Sequence, residues 1–156
     1  MAQDAKGGIL NNEWEKKHAP GTNKILIKSS YVKFDGNFIK VNSPFDIITE
    51  FWCEEEGFPI NVSMHLYDIN ESLVFAISTA NIPLSKGIHK ASFHIPANLM
   101  NDGNYVVHNL FVTNSQGYFN HTNANSFEIF EERTESGWHD KWPGNVRPTF
   151  IKNEII

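Results

Sequence analysis

The sequence predicts an all-β protein, an immunoglobulin-like β-sandwich of seven to eight antiparallel strands. Apolar and polar residues alternate with a period of two through several segments, as expected for strands with one buried face. Short runs rich in Gly, Asn, Ser and Pro separate these segments and are typical of turns. A helical period is convincing nowhere, apart from a possible short turn at 96–100. Strands at this spacing favour a sandwich.

The strands follow one another in chain order with clear inward and outward registers. In the predicted strand at 60–67, Val62, Met64 and Leu66 are expected to point inward, so that His65 and Tyr67 point outward. The predicted strands are 24–34, 45–53, 60–67, 73–79, 90–95, 105–113 and 126–130.

One tyrosine opens a strand directly after a turn. Tyr105 follows Asp-Gly-Asn at 102–104, a position where a tyrosine often returns its hydroxyl to the backbone of the preceding loop. The alternative is that Tyr105 is simply a residue that favours strands. The first interpretation supports the immunoglobulin-like topology.

The two ends of the chain are expected to lie outside the sandwich. Residues 1–21 are polar and loop-like and predict a connector, 22–132 form the sandwich, and 133–156 form a loop and a terminal strand. Trp138 and Trp142 in that loop are expected to anchor the connection. The apolar terminal strand 149–156 needs a sheet edge, either in its own chain or in a second copy, and the latter predicts a homodimer with exchanged strands.

Composition excludes several classes of function. The chain has 156 residues, 40% hydrophobic, which suits one domain with one core. A net charge of −5 without a basic cluster disfavours nucleic-acid binding. The apolar runs are shorter than the roughly 18 residues that span a bilayer. The single cysteine, Cys53, cannot form an internal disulfide and alternates onto a buried face.

Motifs for catalysis or cofactor binding are absent from the sequence. It contains neither the glycine-rich strings of nucleotide sites nor the GxSxG and HExxH strings of hydrolases. The seven histidines lack metal-ligand spacing, and only folding could bring two together, for instance His65 and His108. A carboxylate pair for sugar hydrolysis, such as Asp68 with Glu128, finds no support in the spacing. We therefore expect no enzyme, metal or cofactor.

The outward face of three strands carries the candidate site. If the strands at 60–67, 105–113 and 126–130 are neighbours, their outward side chains mix rings, imidazoles, a hydroxyl and a carboxylate. Sugars need such a mixture, because C–H faces pack on flat rings and hydroxyls need donors and acceptors. A face covered by a partner subunit is the alternative. The candidate carbohydrate-binding residues are His65, Tyr67, His108, Ser126 and Glu128, with Trp52 of another strand ranked second.

Several segments together resemble one protein family. They are Glu13-Trp14 through Ala19-Pro20-Gly21, Gly-Ile-His-Lys-Ala-Ser-Phe-His-Ile-Pro at 87–96, Asp-Gly-Asn-Tyr at 102–105, Ser-Phe-Glu-Ile at 126–129 and the stretch 137–148. The chain resembles, over roughly 13–151, the C-terminal domain of Wzt-type proteins, which are ATP-binding subunits of ABC transporters that export O-antigen polysaccharide. The string Lys-Trp-Pro-Gly-Asn-Val-Arg-Pro at 141–148 is the most specific part.

The resemblance implies a non-catalytic domain that binds the lipid-linked O-antigen polysaccharide. It also implies a cytoplasmic location at the inner face of the bacterial inner membrane, with the transporter's permease and ATPase domain as partners, and a dimer that exchanges a terminal strand. An alternative function is a dimerisation or interaction domain that positions the ATPase subunits without binding glycan. The resemblance transfers no ligand motif to particular residues, so the candidate site rests on the strand faces.

Overall fold

The computed structural model describes the backbone of residues 2–5 and residues 8–131, 143–148 and 151–155, and it is an all-β fold. A short 3-10 helix at Lys16–His18 is the helical element of the described part, which holds no helix long and apolar enough to cross a membrane. The strands are β1 (Ala2–Ala5), β2 (Leu10–Glu13), β3 (Ile25–Lys33), β4 (Ile39–Lys40), β5 (Phe45–Cys53), β6 (Phe58–Asp68), β7 (Leu73–Ser78), β8 (Ile82–Leu84), β9 (Gly87–Ile95), β10 (Gly103–Thr113) and β11 (Gln116–Phe130).

These strands form one curled sheet whose halves pack on each other as a sandwich. The strand order is β7-β6-β10-β11-β2-β3-β5-β9, with β1, β4 and β8 attached at its sides. Phe51 of β5 contacts Phe111 of β10 with ring centroids 5.1 Å apart, and Phe45 contacts Phe127 of β11 at 5.3 Å. Because these strands are not neighbours in the sheet, the rings meet between two layers. The all-β sandwich prediction is confirmed, and all seven predicted strands are present.

The inward register agrees with the predicted alternation. Met64 and Leu66 of β6 and Val107 of β10 are completely buried. Cys53 is also buried, with 1% of its surface exposed, and is a free thiol. Side chains at alternate positions of these strands fill the space between the layers, so the intervening positions face outward. We call β7, β6, β10 and β11 the four-stranded layer and their outward side its outer face.

The N-terminal segment is part of the sheet, which corrects the expectation of a connector outside the sandwich. β2 pairs with β11 through Leu10 and Ser126, and with β3 through Asn12 and Ser30. Ile9 is 1% exposed and belongs to the core. Ile9 and the partly buried Trp14 anchor this mostly polar segment, and two apolar residues five positions apart do not show an alternating period.

The C-terminal segment forms no strand within the part of this chain that is described. Residues 151–155 are without regular structure, and Ile151 and Ile155 are 68% and 103% exposed. Pairing of a terminal strand with a second copy stays a prediction. Trp138 and Trp142 lie outside the described residues.

The tyrosine that opens β10 pins the preceding loop, as predicted. The buried Tyr105 hydroxyl donates a hydrogen bond to the carbonyl oxygen of Asn101 at 2.8 Å. Burial raises the pKa of Tyr105, so the hydroxyl keeps its proton and its donor role at neutral pH. The loop 101–104 is thereby fixed to the start of the strand.

We predict that Tyr105→Phe lowers the free energy of unfolding by about 1 to 2 kcal/mol, because the Asn101 carbonyl loses a buried donor. Urea denaturation measures the loss. Tyr67→Phe is the matched control, since the Tyr67 ring is half-buried on the outer face, and we expect it to change stability by less than about 0.5 kcal/mol. Equal losses in the two variants would contradict the role of the Tyr105 hydroxyl.

A histidine is buried between the layers. His121 of β11 is 7% exposed and opposite Asn109, and its ring packs edge-on against Trp14 at 5.2 Å. Burial, with a smaller contribution from repulsion by His108, lowers the pKa of His121 to about 4. The folded protein therefore holds this imidazole neutral, whereas the unfolded chain protonates it at its ordinary pKa of 6.5.

This difference makes stability depend on pH. The unfolded state binds the proton first as pH falls, so the contribution of His121 is complete above pH 6.5 and is lost between there and about pH 4. The expected loss between pH 7 and pH 4 is about 3 kcal/mol. His121→Phe should lose less stability than the natural chain over this range in urea denaturation. An NMR titration of His121 with a midpoint near 6.5 would contradict the assignment.

Candidate functional site

Five of the six candidate residues lie on the outer face of the four-stranded layer. His65 of β6 is directly opposite His108 of β10, and Tyr67 is opposite Val106. Val106 is in turn opposite Ser126 of β11. All five side chains, Glu128 included, are half-buried. The predicted neighbourhood of the three strands is confirmed, and cross-strand pairing brings residues far apart in the sequence to one surface.

Three rings form a continuous stripe on this face. The centroids of Tyr67 and His108 are 4.7 Å apart, and those of His65 and Tyr67 are 6.5 Å apart. The Ser63 hydroxyl lies 3.1 Å from His65 Nε2 and hydrogen-bonds with it. We call His65, Tyr67 and His108 the ring stripe. All three rings are half-buried, and each carries a polar atom at its rim.

A β-bulge in β11 completes the surroundings of His108. Between the pairs Val107–Asn125 and Asn109–His121, the single residue His108 faces three residues, 122–124. Asn123 within the bulge has a left-handed backbone, with φ of 51°, which asparagine tolerates better than most residues. Its side chain hydrogen-bonds with His108. Sequence reasoning missed Asn123, although three asparagines among residues 120–125 are unusual in a strand and were the available signal.

Burial and three neighbouring groups set the charge state of His108. Burial is the largest influence and lowers the pKa of His108, and repulsion from His65 lowers it further. The Asn123 hydrogen bond and the carboxylate of Glu71 act in the opposite direction. The net shift is downward, so His108 is neutral at pH 7. A neutral imidazole has one donor and one acceptor nitrogen. Asn123 engages one of them, so a sugar hydroxyl would bond with the other.

Glu128 marks the edge of the site towards the N-terminal segment. It is opposite Asn104 across the β10–β11 pair. Gly8 comes so close that a Cβ there would lie 2.9 Å from the Glu128 Oε1 atom, and its φ of 77° also requires glycine. The segment before β2 therefore packs against this carboxylate and restricts its movement.

Trp52 does not join the other candidates. It lies on β5, in the opposite layer, between Leu26 of β3 and Ile88 of β9. The Lys16 ammonium lies 5.7 Å from the centre of its ring and is also salt-bridged to Glu54. The half-buried ring is thus already in contact with a cation.

Metal-ligating groups and the Asp68 carboxylate bear on what this face can do chemically. The described residues include no group of three or more His, Cys, Asp and Glu that could hold a metal ion. The Asp68 carboxylate accepts hydrogen bonds from the backbone N–H groups of Asn70 and Ser72 and from Asn145 Nδ2. These bonds lower the pKa of Asp68 and hold it in a turn. The ring stripe itself presents aromatic rings, imidazole nitrogens and a hydroxyl, which are groups suited to non-covalent contacts.

The fold is similar to that of one solved domain over nearly its whole length. The crystal structure of the C-terminal domain of Wzt superposes with a TM-score of 0.68 and 11% sequence identity, covering 89% of this chain and 87% of that chain. At 11% sequence identity, this similarity shows a shared fold and does not by itself show a shared function. It agrees with the family resemblance noted in the sequence.

Two further likenesses are weaker. The β-glucuronidase of Parabacteroides merdae matches with a TM-score of 0.46 and 17% identity, covering 68% of this chain and 13% of the enzyme. The putative ApaA protein of Bordetella pertussis matches with a TM-score of 0.36 and 10% identity, covering 71% and 96%. Neither is close enough to carry an argument. No family model and no curated protein sequence matches the chain.

Two single substitutions with opposite expected effects on the pKa of His108 test the electrostatics of the ring stripe. We predict that His65→Gln raises the pKa of His108, because it removes a repelling imidazole, and that Glu71→Gln lowers it, because it removes an attracting carboxylate. NMR titration of the His108 ring protons in the three proteins measures both shifts. Two shifts in the same direction would contradict the proposed surroundings of His108.

Proposed function

We propose that this chain recognises the lipid-linked O-antigen polysaccharide for export by an ABC transporter, without catalysing a reaction. The observation that carries the proposal is the ring stripe of His65, Tyr67 and His108, which lies on a sheet face of a domain whose fold is similar to the C-terminal domain of Wzt. Ser126 and Glu128 complete the proposed site.

The proposed contacts follow from the chemistry of sugars. The C–H faces of a pyranose pack against ring faces, and its hydroxyls exchange hydrogen bonds with imidazole nitrogens, the Ser126 hydroxyl and the Glu128 carboxylate. Val106 lies between Tyr67 and Ser126 and provides apolar surface. Each hydrogen bond gained replaces one to water, so we expect affinities per site of about millimolar to micromolar.

Trp52 is a second, separate candidate contact. Its ring lies in the opposite layer and is covered on one side by Lys16. A glycan that touches the ring stripe would need to pass around the sheet to reach it. We therefore rank Trp52 below the other five residues.

The proposed setting is the cytoplasmic side of the inner membrane, where the chain would act beside the transporter's permease and ATPase domain. In a homodimer the terminal strand 149–156 would pair with a second copy. Among the described strands, β7 and β9 stand at the two ends of the strand order and are the candidate edges for this pairing. Two linked sites would raise avidity if one polysaccharide can reach both.

An interaction domain without glycan binding is the second candidate. It is favoured by the apolar edge strand β7, where Leu73 and Ile77 are 53% and 52% exposed. In that case replacement of the ring stripe leaves export intact, whereas deletion of residues 149–156 abolishes it.

We predict that Tyr67→Ala and His108→Ala each weaken binding of the O-polysaccharide of the source strain by about tenfold, because each removes a ring contact of about 1 kcal/mol or slightly more. Isothermal titration calorimetry measures the affinity. His94→Ala is the matched control, since His94 is an exposed histidine of β9 in the opposite layer, paired with Asp46.

The outcomes separate the candidates. Loss of binding in the ring-stripe variants but not in His94→Ala supports the proposed site. Full binding in all variants moves the site elsewhere, to Trp52 first. If the polysaccharide produces neither heat nor chemical-shift changes in the natural chain, the proposed function is wrong and the interaction domain remains.

A further inference from the structure

Positive charge is absent from the four strands that form the proposed site. None of the 13 lysines and arginines of the chain lies in β6, β7, β10 or β11, and the charged residues of these strands are two carboxylates, Asp68 and Glu128. The described cations lie in other elements. Lys16 and Lys24 lie beside the opposite layer, and Lys40 of β4 is paired with Phe130, two residues beyond Glu128, at the end of the outer face away from His65 and His108. The strands that carry the ring stripe thus differ in charge from the elements around them.

Among the described residues, carboxylates act on or lie beside the ring stripe. Glu71, in the turn between β6 and β7, acts on His108 as an attracting carboxylate. Glu128 stands at the β11 side of the same face. His108 itself is neutral at pH 7, for the reasons given above. Arg147 is the one arginine among the described residues, and it forms a salt bridge with Glu131. Arg133 and Lys141 lie outside the described residues.

We infer that the glycan segment held on the outer face carries no carboxylate or phosphate groups, so that the domain selects an uncharged stretch of polysaccharide. The inference rests on the proposed function and names the chemical class of its ligand. An anionic sugar would need an Arg or Lys partner to replace the water it loses, and the described strands that carry the ring stripe offer carboxylates instead. Like charges at a binding surface disfavour the wrong ligand as effectively as new contacts favour the right one.

A matched pair of polymers tests the inference. The O-polysaccharide of the source strain is compared with the same polymer after oxidation of its primary hydroxyls to carboxylates, which keeps the backbone and adds negative charge. We expect the oxidised polymer to bind at least about tenfold more weakly at low ionic strength, where repulsion is least screened. Sodium chloride at about 0.5 M should reduce this difference.

Charge-neutral variants separate repulsion from loss of the oxidised hydroxyls. Glu71→Gln and Glu128→Gln should each bind the oxidised polymer more tightly than the natural chain does. Glu55→Gln, which removes an exposed carboxylate in the opposite layer near Lys24, should leave the preference unchanged. Circular dichroism confirms folding of each variant.

Each outcome of these measurements leads to one conclusion. Weaker binding of the oxidised polymer that both glutamate variants relieve supports the inference. Equal or tighter binding of the oxidised polymer, or a natural ligand segment that itself carries carboxylate or phosphate, overturns the inference and leaves the proposed function standing. If neither polymer binds to any variant, the proposed function fails and the inference falls with it.

Discussion

The pairing of β6 with β10 is the constraint on which the proposed site depends. Eight consecutive residue pairs join these strands, and the inward positions Met64, Leu66 and Val107 are completely buried. Each buried apolar side chain contributes about 1.5 to 3 kcal/mol, and a slip by one residue would turn this set to solvent. The core therefore fixes the register, and the register places His65 opposite His108. The packing of the core therefore determines the positions of the side chains on the outer face.

A β-bulge and a turn bring further residues to the ring stripe. The bulge at 122–124 brings Asn123 to His108, and the turn after β6 brings Glu71 towards the same ring. A bulge re-aims side chains locally without disturbing the ladder on either side. The ring stripe thus combines positions set by core packing with partners set by loops, and the second group tunes its charge and hydrogen bonding.

The distribution of charge links the architecture to the proposed ligand. Lys16 and Lys24 pair with Glu54 and Glu55 beside the opposite layer, and Lys40 of β4 lies next to the end of β11. The charged residues of the four-stranded layer itself are carboxylates. The proposed selection of an uncharged glycan segment rests on this distribution. The net charge of the chain alone, −5, does not reveal this division.

The amino-acid pattern by itself determined the all-β class, the seven main strands and the inward positions, because a period of two needs only local alternation. It also identified the Tyr105 corner, since the turn and the tyrosine are adjacent. Tertiary structure alone decided that Leu10–Glu13 joins the sheet and that Trp52 lies apart from the ring stripe. It also decided that Asn123 hydrogen-bonds with His108 and that the charge of Glu71 acts on the same ring. These outcomes depend on pairing between distant segments, which local periodicity does not encode.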